Sequence, residues 1–227
     1  MWLINSSIGK KVLMSVTGMA LILFLTFHAC MNVVALIDGE AYNMVCEFLG
    51  TNWYALVGTA ALAALAVVHI LYAVILTLEN RKARGNNRYA VTAKPEKVEW
   101  ASQNMFVLGV IVILGLFLHL YNFWFNMMFA ELVGMEGMFA PTDGYAFIQQ
   151  TFSCPVTAVL YLIWLAALWF HLSHGFWSSL QTLGLSGKTW FCRWKLIGII
   201  WVSVVIILFA VVVLAFALCP DCAGSYC

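Results

Sequence analysis

Apolar residues run almost unbroken through five stretches of the chain, at roughly residues 12–37, 53–78, 103–129, 155–180 and 196–218, and polar residues collect in the gaps between them. A helix rises about 1.5 Å per residue, so each stretch reaches the ~20 residues needed to cross a hydrocarbon core of ~30 Å. The pattern predicts an all-α integral membrane protein of five transmembrane helices, with residues 1–227 forming a single domain. No internal repeat or low-complexity tract interrupts it. The first stretch follows Lys10-Lys11, as a signal peptide would. It is too long for an h-region of about 7–15 residues and lacks an obvious cleavage site, so it is expected to stay in the mature protein. The segment from Glu79 to Glu99, with Gly85-Asn86-Asn87 and Pro95, reads as a loop.

Composition agrees: 64% of residues are hydrophobic, only 9% are charged, and the mean hydropathy is +0.94. A soluble domain carries about 25% charged residues, which argues against a soluble fold. The net charge of +1 conceals a strong asymmetry. Every cation lies in one of three segments: Lys10 and Lys11; Arg81, Lys82, Arg84, Arg88, Lys94 and Lys97; Lys188, Arg193 and Lys195. Five spans put those segments on one side of the membrane. The opposite side holds Asp38, Glu40, Glu47, Glu131, Glu136, Asp143 and Asp221 with no cation. The positive-inside rule then places the N-terminus in the cytoplasm and the C-terminus outside. Short basic loops between apolar spans give no sign of nucleic-acid binding. Trp53, Trp100, Trp124, Trp190 and Trp194 stand near span ends, where interfacial anchors belong.

Seven cysteines form one C-x-x-C, Cys219-Pro220-Asp221-Cys222. Ala223 follows it where covalent haem attachment requires His, so a c-type haem is excluded. The pair reads either as a disulfide or as an incidental feature of a small-residue tail.

All five histidines fall inside predicted spans: His28, His69, His119, His171 and His174. Ionisable residues at membrane depth are costly and mark function, although a lone one is commonly an interhelical hydrogen bond. Counting from span ends at residues 13, 78, 103 and 180, His28 and His119 lie about 23–24 Å in, and His69 and His171 about 14 Å. Two histidine pairs at two depths in a helical bundle suit bis-histidine haem b, whereas zinc would need three or four ligands at one depth. Small residues one turn from the ligands, Gly115, Ala73 and Gly175, would leave room for a porphyrin. His28 has Phe24 and Asn32 instead. His174, at about 9 Å, matches His69 less well than His171 does. It reads either as a contact to a haem propionate or as a partner for a polar neighbour.

With these residues in place the chain resembles the five-helix, two-haem cytochrome b membrane subunit of succinate dehydrogenases and fumarate reductases. The resemblance covers all five spans. It rests on Phe27-His28 with Asn32, Val68-His69 with Tyr72, and Leu118-His119. Its most specific part is Phe170-His171-Leu172-Ser173-His174-Gly175-Phe176-Trp177-Ser178, followed by Gln181-Thr182-Leu183-Gly184. In the family the fourth ligand lies four residues before that glycine, which again selects His171. The resemblance implies an outer haem b held by His28 and His119 and an inner haem b held by His69 and His171. It implies flavoprotein and iron–sulfur partner subunits on the cytoplasmic face of a bacterial cytoplasmic membrane. Electrons would pass between their clusters, the haems and a quinone, typically menaquinone, with succinate/fumarate chemistry on the flavin subunit. Some relatives carry a membrane-embedded glutamate two residues before the fourth ligand. That place is Trp169 here, and no carboxylate lies deep in any span.

Related two-haem anchors of nitrate reductase, formate dehydrogenase or hydrogenase would also pair histidines, but the H-x-x-x-G-x-W-S stretch favours the succinate/fumarate group. A haem-free, quinone-linked thiol oxidase would use Cys219 and Cys222 and leave the histidines unexplained. A quinone site is expected near the outer haem on the acidic side, with Asn32 as a head-group contact and Glu47 as the proton-exchanging residue. Apolar Phe48 and Leu49 and then Trp53 follow Glu47, which suggests a partly buried edge.

Overall fold

A computed structural model describes residues 6–50, 52–84 and 99–219, and those residues form helices joined by short turns. Helix α1 (Ser7–Val33) starts where the Ser6 hydroxyl accepts a hydrogen bond from the Gly9 amide, satisfying one of the amides a helix start leaves unpaired. A 3₁₀ turn (Val34–Leu36) leads to α2 (Gly39–Gly50), which the Asp38 carboxylate caps through the Ala41 amide. Next come α3 (Trp53–Arg84) and α4 (Trp100–His119). The chain continues beyond His119 as a π-helix (Leu120–Phe129) and a last α-turn, α5 (Ala130–Val133), stopped by left-handed Gly134. Helix α6 (Gly144–Ser153) is capped by Asp143, and α7 (Pro155–Thr182) carries Pro155 in its first turn, where no amide is needed. Gly184, at φ 78°, closes α7 with the Leu185 amide bonded back to the Leu180 carbonyl. Helix α8 (Trp190–Leu218) completes the described chain.

Five helical stretches are long and apolar enough to cross a membrane: Ser7–Leu36, Trp53–Ala83, Trp100–Val133, Pro155–Thr182 and Trp190–Leu218. Their bounds match the predicted spans to within several residues. The two short helices α2 and α6 lie in the connections and were not foreseen, although Asp38 and Asp143 are strong capping residues.

The packing follows from which stripes are apolar and close-fitting. Helix α7 buries Ala158, Tyr161, Leu165, Leu168, Leu172 and Phe176, a three-and-four spacing that keeps one stripe facing its neighbours. It packs along α8, α4 and α1; α1 packs along α3 and α8 as well. Among the described residues, no extended backbone contact joins α3 to α4, α3 to α7 or α1 to α4. The order around the four-helix core is therefore α3, α1, α7, α4. Helix α8 lies against the α1 and α7 side. In α3 no residue of the apolar window is buried in the protein, so its outer face is left to lipid.

Indole hydrogen bonds tie the helices together where hydrophobicity alone would not, because lipid is as apolar as the helices are. Trp164 donates to the Val112 carbonyl (3.0 Å), Trp169 to the Ser203 hydroxyl (2.8 Å) and Trp201 to the Thr26 hydroxyl (3.0 Å). At the basic end, Lys10 of α1 pairs with Glu79 of α3, and Lys195 of α8 pairs with Glu99 before α4. At the acidic end, Asn43 of α2 donates to Asp143 (2.7 Å) and accepts from the Tyr145 amide (2.8 Å), docking α2 on α6. Sequence and structure thus agree that the cations among the described residues gather at one end. Arg88, Lys94, Lys97, Cys222 and Asp221 lie outside the described residues.

Candidate functional site: two facing histidine pairs

The structure brings His28 to His119, with ring centroids 5.8 Å apart and planes at 77°. It brings His69 to His171, at 6.4 Å and 70°. These are the partners that depth alone selects. Each pair joins helices on a diagonal of the bundle, α1 with α4 and α3 with α7, so the rings meet across the interior rather than along a helix–helix seam.

The two pairs occupy separate levels. Thr17 of α1 touches His69, and His28 is eleven residues further along the same helix, or about 16 Å at 1.5 Å per residue. On α4, Gly109 faces His171 and His119 follows ten residues later, again about 15 Å. The spacing exceeds the roughly 9 Å that assumed span ends suggest. The reason is that the assumed ends do not share one level: Thr17, which meets His69, lies four residues from the assumed end of its span at 13, whereas His69 lies nine from the assumed end of its own at 78.

The outer pair is set among aromatic rings. Phe24 stacks on His28 at 5.4 Å and Phe209 of α8 lies 5.6 Å from it. Phe123, Tyr161 and Trp164 surround His119 at 5.1, 6.3 and 5.8 Å. One expectation is corrected here: Gly115 does not leave open space beside His119, because the Trp164 indole already fills it and a Cβ there would collide with the ring. Gly175, near His171, does open on empty space. Two glycines that the sequence reading missed matter more: Gly18 lets the His69 ring come against α1, and Gly109 faces His171.

His119 also ends the regular α-helix. The π-helical turns that follow are held by Asn126, whose amide donates to the Tyr121 carbonyl five residues back (2.8 Å), while Asn122 donates to the Tyr161 hydroxyl (3.2 Å). Wide turns of this kind occur at functional sites. The signal was legible: two asparagines, Asn122 and Asn126, one turn apart inside an apolar span.

Asn32 stands where expected, one turn beyond His28. Its amide nitrogen donates to the His28 carbonyl (2.8 Å) and lies 3.3 and 3.5 Å from the two ring nitrogens. Its oxygen accepts from the Tyr42 hydroxyl of α2 (3.2 Å). Burial pushes the Tyr42 hydroxyl well above its ordinary value, and Cys46 adds to that. Cys46, half-buried beside Tyr42 and Gly144, is pushed up to about 11, chiefly by loss of solvent, with the Asp143 charge adding and the Tyr42 hydrogen bond opposing. Both stay protonated at neutral pH. Glu47 departs from its expected setting. It is exposed, with Phe48 62% and Trp53 75% exposed nearby, because α2 turns this face outward. It lines an open cavity of about 270 Å³ with Glu40, Asn43, Met44, Thr142 and Asp143.

His174 is separate from both pairs in the structure. Its Nδ1 lies 3.5 Å from the Glu99 carboxylate, and its ring packs on Trp177 at 4.9 Å. Glu99 thus supplies a polar neighbour of the kind one of its two readings calls for. Burial would raise the Glu99 carboxyl, but hydrogen bonds and charge from Lys195 and His174 outweigh it and hold the group below its ordinary range.

No known protein family, curated protein or solved structure matches this chain.

Proposed function

We propose that the chain is the di-haem cytochrome b anchor of a succinate dehydrogenase or fumarate reductase, passing electrons between an iron–sulfur partner at its basic end and a membrane quinone. The observation that carries this reading is the pair of facing imidazole couples, His28–His119 and His69–His171, on diagonal helices at two levels. Two imidazoles that share one metal, each bonded at about 2.0–2.1 Å, have centroids roughly 6.3 Å apart, close to both spacings. Among the described residues, no three His, Cys, Asp or Glu side chains converge. Two protein donors are too few for a zinc site and are the number a porphyrin-bound iron takes.

Haem held at these places supplies reversible one-electron transfer. The chain's own residues do the rest. His28 and His119 would hold one haem and His69 and His171 the other, and the aromatic rings around the outer pair exclude water and lower the local dielectric. Asn32 and Tyr42 bring polar groups to the outer level, and Glu47 and Asp143 on the open cavity are positioned to exchange protons with water at a quinone site. The cations at the other end would meet the iron–sulfur and flavoprotein subunits, with the N-terminus cytoplasmic. The choice of the succinate/fumarate group over other two-haem anchors rests on the stretch from Phe170 to Ser178.

Pyridine haemochrome assay of the purified chain should give two haems b per polypeptide, and succinate should reduce them in native membranes. One haem or none defeats the reading. Two haems reduced by formate or hydrogen but not by succinate would reassign the partner.

A further inference from the structure

The two rings of the inner pair do not have equivalent surroundings. On the His171 side, Nδ1 is buried and has no hydrogen-bond partner. On the His69 side, Nδ1 lies 3.1 Å from the Thr17 hydroxyl of α1. The proton roles follow from the oxygen's other contacts. Thr17 Oγ1 lies 2.8 Å from the Leu13 carbonyl and 3.1 Å from the Met14 carbonyl. Carbonyl oxygens only accept, so the single hydroxyl proton is committed to them, and toward His69 the oxygen presents a lone pair. Nδ1 of His69 must therefore carry the hydrogen, and Nε2 keeps the free lone pair. Thr17 is itself only 4% exposed, so water does not compete for these bonds. Gly18 makes the approach possible: a Cβ there would stand 3.1 Å from the His69 Cε1 atom and push the ring away.

We propose that Thr17, with Gly18 beside it, is the positioning residue for His69, fixing its Nδ1–H tautomer and presenting Nε2 as the ligating atom. This rests on the haem reading above but is not implied by it, since the His171 ring does the same job without a partner. An acceptor on the far nitrogen raises the basicity of a ligating imidazole and favours the oxidised iron. Its removal should therefore raise one of the two midpoint potentials.

The experiment is a redox titration of the purified full-length cytochrome, followed in the α-band, for wild type, Thr17→Val, Thr17→Ser and Gly18→Ala. Valine keeps the shape and removes the acceptor. One wave should move upward, with a shift of roughly fivefold in the oxidation equilibrium, or about 40 mV at 59 mV per decade, while the other stays in place. Serine should restore the original wave. Gly18→Ala should move the same wave and alter the low-spin signal of that haem, and it serves as the test if the valine variant does not accumulate. Two haems in Thr17→Val with both potentials unchanged, or shifts shared equally by both waves, would overturn the proposal. A wild-type chain with no haem would defeat the functional reading and the proposal together, an outcome distinguishable from the first.

Discussion

Replacing Gly115 with alanine should destabilise the protein even though alanine is the better helix former. The new Cβ would stand closer than 3.0 Å to Cγ, Cδ1 and Nε1 of Trp164, a distance that real Cβ atoms do not reach. Those atoms belong to the root and near edge of a rigid ring, so no flexible tip can yield. The indole must rotate, which breaks its bond to the Val112 carbonyl and its contact with His119. Overpacking of this kind costs about 1–3 kcal/mol, and an interhelical hydrogen bond in a membrane about 0.6 kcal/mol. Against these stands a gain of up to about 1 kcal/mol from removing a helix-interior glycine. The net expectation is a loss of about 1–3 kcal/mol, read as unfolding in mixed detergent micelles. In a Trp164→Ala background the collision is gone and only the helix term remains, so the same substitution should become neutral or stabilising. A Gly115→Ala variant that is stabilised in the otherwise native chain would refute the argument.

His171→Ala should abolish the low-spin signal of one haem while His174→Ala leaves both, since only the first ring faces a partner histidine; electron paramagnetic resonance decides, and the opposite result would transfer the ligand role. Glu99, held below the ordinary carboxylate range, adds stability that is present at neutral pH and is lost as pH falls through its lowered value. Because the group is largely exposed the gain should stay under about 1 kcal/mol, and melting between pH 6 and pH 3 should flatten in Glu99→Gln. Hydrogen bonds from the Thr157 amide and hydroxyl, and then from the Val156 amide, lower the exposed Cys154 thiol, whereas burial raises Cys46. A membrane-impermeant maleimide should therefore label Cys154 in intact cells much faster than Cys46; labelling of Cys154 only after lysis would invert the proposed orientation.

The spans, their antiparallel alternation and the gathering of cations at one end were legible in the sequence, because each depends on a running property of consecutive residues. The partner choice His28–His119 and His69–His171 was legible too, since depth along a helix is simply residue count times rise. What required the tertiary structure is everything set by which side chains fill which gaps. Gly115 reads as open space until Trp164 is placed in it, and Glu47 reads as half-buried until α2 turns it outward. Thr17 and His69 are 52 residues apart, and nothing local marks them as neighbours. Their contact arises because α1 packs along α3 with Gly18 at the crossing, and only that packing decides which nitrogen of His69 is left free.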